Sequence, residues 1–110
     1  MAEIINYHNA LEALLQRYAL LKPHNEEVEL QVWIDQIRGH YQLLSVGWCN
    51  DKRVHHCLMH FDLKDEKIWI QHNSTEVELD NELVALGVAP EHIVLGFIPE
   101  YRRPKWQRAA

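Results

Sequence analysis

Between residues 3 and 21 the apolar positions Ile4, Tyr7, Leu11, Leu14, Leu15, Tyr18 and Leu21 recur at helical spacing, with Glu3, Asn6, Asn9, Glu12 and Gln16 between them. The spacing predicts an amphipathic helix that Pro23 stops, because the residue before a proline is pushed out of the helical region. From Glu27 the period changes to two. Val28, Leu30, Val32 and Ile34 share one face and Glu27, Glu29, Gln31, Trp33 and Asp35 the other, the pattern of a half-buried strand. Arg38 and Gly39 turn the chain into a second strand, HYQLLSVGWC, residues 40–49, and Asn50, Asp51 and Lys52 turn it into a third, from Val54 to Leu63. Lys64, Asp65 and Glu66 turn again into Ile68 to His72. Connections this short join only antiparallel neighbours, so these strands form a meander.

The stretch KIWIQHNSTEVELDNELVALGV, residues 67–88, begins as a strand and ends as a helix. Thr75 and Glu78 stand at the spacing of a capping box, in which hydroxyl and carboxylate satisfy free amides at a helix start. Leu79, Leu83 and Leu86 then line one face until Gly87 supplies a stop. Ala89 to His92 reads as a short helical turn, and Ile93 to Phe97 as a buried final strand. The expected fold is α+β, a single antiparallel sheet of four to five strands packed by an N-terminal helix and a second helix near the C-terminus. Residues 1–110 form one domain, because two cores would leave each half too small to offset its chain entropy, and residues 99–110 form a basic tail.

Composition changes this picture little, with an apolar share of 47% that is ordinary for a globular protein. No apolar run approaches the roughly 20 residues of a membrane span, and MAEIINYHNA has neither a cationic nor an apolar leader region, so a cytoplasmic protein without membrane contact is expected. In a reducing compartment Cys49 and Cys57 are read as free thiols, with Cys57 in the core. Charge is more informative. Arg102, Arg103, Lys105 and Arg108 stand in the last ten residues without an acid, which leaves residues 1–100 with 7 cations against 16 acids, a net of −9. A body so acidic is a poor ligand for a phosphate backbone, which is held by neutralising phosphates and releasing counterions.

The eight histidines raise a metal hypothesis, most densely in VHHCLMHFD, residues 54–62. Strict alternation puts His55, Cys57, Met59 and Phe61 on one side and His56, Leu58, His60 and Asp62 on the other. His56 and His60 are then about 13 Å apart and cannot share an ion; only a cross-strand partner such as His40, His72 or Asp51 completes a site, so no metal or cofactor is expected. No nucleophile set, phosphate loop or GxSxG turn is present, so no enzyme is expected either. The aromatics carry more. Trp33 and Trp69 lie on the strand faces opposite the aliphatic residues, and with His56, His60 and Gln71 they suggest a contact surface, unless the N-terminal helix covers that face and makes it a second core. In the tail, Tyr101, Arg102, Arg103, Lys105 and Trp106 have the composition of a segment that stacks on bases, grips phosphates or docks on an acidic protein.

HYQLLSVGW (40–48), KIWIQHNSTE (67–76), ELVALGVAPEHIVLGF (82–97) and PEYRR (99–103), in this order and spacing, make the sequence resemble the XisI family, the fdxN element excision controlling factor proteins of cyanobacteria. The resemblance implies a small α+β domain built largely of antiparallel sheet. It also implies an accessory role beside the XisH protein and a site-specific recombinase when a DNA element is excised during differentiation of nitrogen-fixing cells. Relatives often carry Asp-Gly where this chain has Asp65-Glu66, which points to a different hairpin turn, and often end more hydrophobically than PKWQRAA, which argues against a DNA role for the tail as a family property. The family carries over no catalytic residue.

Neither expected helix suits a phosphate backbone, since the first has only Arg17 and Lys22 and EVELDNELVAL has no cation. The first expectation is therefore a non-enzymatic factor that binds an XisH-like protein or the recombinase, associates with DNA only indirectly, and pairs as a homodimer through a sheet face or edge. Competing with it are direct nucleic-acid binding by the tail and metal binding by the histidines. At the strand-to-helix joint, Gln71, His72 and Asn73 are required by neither element, and they are expected to organise the corner by hydrogen bonds and to border the partner surface.

Overall fold

Asn6 caps the first helix by accepting a hydrogen bond from the Asn9 amide at 3.2 Å, and α1 (Tyr7–Ala19) follows from it. The computed structural model describes residues 6–21 and 27–103. Ile4, Pro23 and the tail residues Lys105, Trp106 and Arg108 thus lie outside the described residues. The helix buries Ala10, Leu11, Leu14 and Leu15, whereas Leu21, expected on the same stripe, lies beyond the last turn and is exposed.

The meander is present as expected, with β1 (Val28–Asp35), β2 (His40–Cys49), β3 (Lys52–Lys64) and β4 (Lys67–Asn73) joined antiparallel in chain order. Gly39 makes the first turn at φ +79°, where a Cβ would lie 2.5 Å from the carbonyl oxygen of Leu63. Asp65 and Glu66 make the third with φ +56° and +62°. Both values carry the sign that a type I′ turn requires, and Glu66 takes the left-handed conformation that a glycine adopts without strain.

After β4 the chain forms α2 (Leu79–Ala85) and a 3₁₀ turn at Pro90–His92 before β5 (Ile93–Leu95), which pairs parallel to β4. A helix long enough to cross back over the sheet permits that parallel pairing, which a hairpin cannot reach. The final strand is shorter than the expected run to Phe97, and Phe97 itself is exposed. The capping box is not formed either. Helix α2 begins three residues later than Thr75 predicts, with Glu78 at its N-cap and no side-chain cap.

Both helices pack on one face of the sheet. Their Leu11, Leu14, Leu15, Leu79 and Leu83 form one core with Tyr41, Leu43, Met59, Phe61, Ile68, Ile70 and Ile93. Each fully buried Leu or Phe side chain in such a core is worth about 1.5–3 kcal/mol. The tryptophan face is therefore not covered by α1, and the second-core alternative does not apply.

Candidate functional site

Two bulges decide what the opposite face carries. In β3 the register moves by one at Leu58: Met59 pairs with Leu43, but Cys57 pairs with Leu44 and His56 with Ser45. His56 accordingly shares a face with Leu30 and Leu43 rather than with His60, and Cys57 falls on the open face, half-buried, instead of in the core. A second bulge at Gln71 lets His60 pair with His72 while Phe61 pairs with Ile70. That shift brings His72 to the open face beside His60.

At the middle of the open face three polar side chains converge on Asp62. His40, its cross-strand partner on β2, approaches Asp62 Oδ1 through Nδ1 at 2.8 Å, and His60, two residues earlier on β3, approaches the same oxygen through Nε2 at 2.9 Å. Gln71 donates from Nε2 to Asp62 Oδ2 at 3.0 Å. Gly96 lets the chain pass close by, since a Cβ there would lie 2.4 Å from Gln71 Oε1. Burial pushes the Asp62 carboxyl up, but the hydrogen bonds from His40, Gln71 and His60 outweigh it and hold the group below the usual carboxylate range. An ionised carboxylate only accepts, so both imidazoles donate to it.

Around this cluster Trp33 is 59% exposed, its indole Nε1 donating to Gln31 Oε1 at 2.9 Å. Trp69 lies across from Asp62, between the Lys64 ammonium, 4.3 Å from the ring centroid, and the Arg103 guanidinium at 5.4 Å. Its Nε1 is buried with no acceptor, the one such side-chain atom among the described residues. Arg103 also donates from Nε to the carbonyls of Leu95 and Ile98, at 3.0 and 2.8 Å, so it anchors the segment after β5, whereas Tyr101 and Arg102 are exposed. Trp33, His60, Trp69, Gln71 and His72 are thus brought to one face, and His56 is not.

Asn73 serves the corner instead. Its Oδ1 accepts from the Thr75 amide and hydroxyl at 2.9 and 2.6 Å, and its Nδ2 donates to the Val77 carbonyl at 2.8 Å. Thr75 Oγ1 in turn accepts from the Val77 amide at 3.1 Å. Thr75 therefore builds a side-chain-closed turn ahead of the helix rather than its cap.

Where β4 leaves β3, a groove of about 610 Å³ runs past His55, His56, Cys57, His60, His72 and Ser74. Burial raises the Cys57 thiol pKa, only partly offset by its hydrogen bond to the Met59 carbonyl, which makes it a poor nucleophile. A second cleft, of about 830 Å³, lies at the start of α1. There the Tyr7 hydroxyl meets His92 Nδ1 at 2.6 Å and the Tyr41 hydroxyl meets His8 Nδ1 at 2.8 Å, ties that fasten the helix to the sheet and to the turn before β5. The sequence offered His40 only as one of several cross-strand candidates, and its place opposite Asp62 follows once the hairpin register is known.

Among the described residues, fold and face together define a small α+β protein with two α-helices on one side of a five-stranded sheet and an open polar and aromatic surface on the other. The XisI family model, described as "XisI protein", matches residues 1–109, and the chain belongs to this family. A solved XisI-like protein from Anabaena variabilis ATCC 29413 is similar at 40% identity and a TM-score of 0.85, over 93% of each chain. The fdxN element excision controlling factor XisI from the same organism is similar at 28% identity and a TM-score of 0.73, over 88% of each chain. No curated protein matches the chain. No helix among the described residues is long and apolar enough to cross a membrane.

Proposed function

We propose that this chain is a non-enzymatic, cytoplasmic accessory factor that controls excision of a DNA element by binding protein partners, an XisH-like protein or a site-specific recombinase. The observation that carries the reading is the open sheet face, which exposed Trp33 shares with His60, Gln71 and His72 and which no helix among the described residues covers. Tryptophan anchors interfaces, and the polar groups around it supply direction. The process is carried over from the family and from the neighbour described as an excision controlling factor. Charge argues for a protein rather than DNA as the direct partner, because residues 1–100 hold 7 cations against 16 acids. The same face, or the edge strand β1 beside it, is where a second copy would pair.

Calorimetric titration of nuclease-treated protein with a purified XisH-like protein tests this. Saturable binding is expected, weakened about tenfold or more by Trp33→Ala and unchanged by Lys105→Ala with Arg108→Ala. These two cations are the ones to remove, because Arg103 belongs to the fold. Absence of protein binding, together with salt-dependent binding of duplex DNA that the Lys105/Arg108 variant loses, would instead assign the work to the tail.

A further inference from the structure

We propose that His40, His60 and Asp62 form a binding site for a divalent first-row cation of the zinc type. His40 Nδ1, His60 Nε2 and Asp62 Oδ1 all lie within 4.8 Å of one another, the only group of three His, Cys or carboxylate donors so placed among the described residues. Bonds of about 2.0–2.2 Å to a tetrahedral ion set neighbouring donors about 3.3 Å apart. The 2.8 and 2.9 Å contacts to the shared oxygen open by a few tenths of an ångström, and the two imidazole nitrogens, within 4.8 Å of each other, adjust to the same spacing by side-chain rotation.

The backbone already aims the donors. His40 and Asp62 are register partners on adjacent central strands, and His60 and Asp62 are next neighbours on one face of β3, so two strands fix all three. Gln71 supplies the outer support that metal-bound carboxylates use. Its amide holds Oδ2, which orients the carboxylate and leaves Oδ1 to the ion. Both imidazoles point an N–H at that oxygen, and to bind an ion each presents a lone pair there and carries its proton on the other nitrogen. One carboxylate and two neutral imidazoles put a single negative charge against the cation, and this mixed nitrogen and oxygen set suits zinc, cobalt or nickel rather than magnesium or calcium, which take oxygen. The His40 side chain is 51% exposed, so the remaining coordination positions face solvent.

The test uses untagged full-length protein stripped of metal, titrated with zinc chloride by calorimetry and with cobalt chloride by visible absorption. The expected result is one ion per chain, a tetrahedral cobalt spectrum, and a melting temperature that rises with zinc. His60→Ala and Asp62→Asn should each weaken binding by about 100-fold or more and abolish the spectrum, Gln71→Ala should weaken it by about tenfold, and His55→Ala should change nothing. His40→Ala, at an exposed position, keeps the test decisive should the Asp62 variant fail to fold. No saturable binding by the parent protein, or binding that survives His40→Ala and His60→Ala, would overturn the proposal.

Discussion

The two faces of one sheet follow opposite rules. Beneath the helices, Tyr41, Leu43, Met59, Phe61, Ile68 and Ile70 are sealed from water and joined by leucines from α1 and α2. On the other side the same strands present His40, His60, Asp62 and Gln71 tied into one hydrogen-bonded group, with Trp33 uncovered beside them. The first face supplies most of the stability, and the second, where Trp69 is only partly buried, is the one open to recognition. Changes on the helix side should therefore register in the free energy of unfolding, and changes on the open side in binding.

The sharpest contrast comes from truncating Phe61, which is fully buried. Phe61→Ala should cost about 3–5 kcal/mol in urea denaturation and unfold a large share of the population. Next is the corner. Asn73→Ala removes one acceptor and one donor from the turn before α2, and a loss of about 1–2 kcal/mol is expected by the same measurement. Glu66→Gly acts in the opposite direction. It relieves a left-handed residue in a type I′-like turn and should stabilise by about 1 kcal/mol, visible as a higher melting temperature.

A smaller effect follows from Asp62. Its carboxyl is held below the ordinary value, so its contribution is complete above the unfolded-state pKa near 4 and is lost as pH falls through the lower folded value. Denaturation curves between pH 5 and pH 2 should lose that component in Asp62→Asn. Smallest of all, Trp33→Ala should change stability by no more than about 0.5 kcal/mol while it weakens partner binding.

Much of the apolar side was legible beforehand. The helical stripe, the four-stranded meander and the leucines of α2 follow directly from periodicity, because burial is decided by which residues recur on one side. What alternation cannot reveal is where it breaks. One extra residue at Leu58 reversed the facing of His56 and Cys57, and another at Gln71 brought His72 to the open face. Bulges are set by pairing between distant segments and leave no mark in the local pattern. For the same reason His40 could be named only as one of several cross-strand candidates until the register placed it opposite Asp62. Thr75 misled for a different cause: its hydroxyl had two uses available, and the one that closes a turn with Asn73 won over the helix cap.

The central claim, that the uncovered sheet face is the recognition surface, is tested most directly by nuclear magnetic resonance. Backbone and indole N–H signals of the isotope-labelled chain would be followed while an XisH-like protein is added. The account predicts that Trp33, His60, Gln71 and His72 shift or broaden first, with Leu11, Leu14 and Leu83 unmoved. Shifts confined to the helices, with the open face silent, would contradict it.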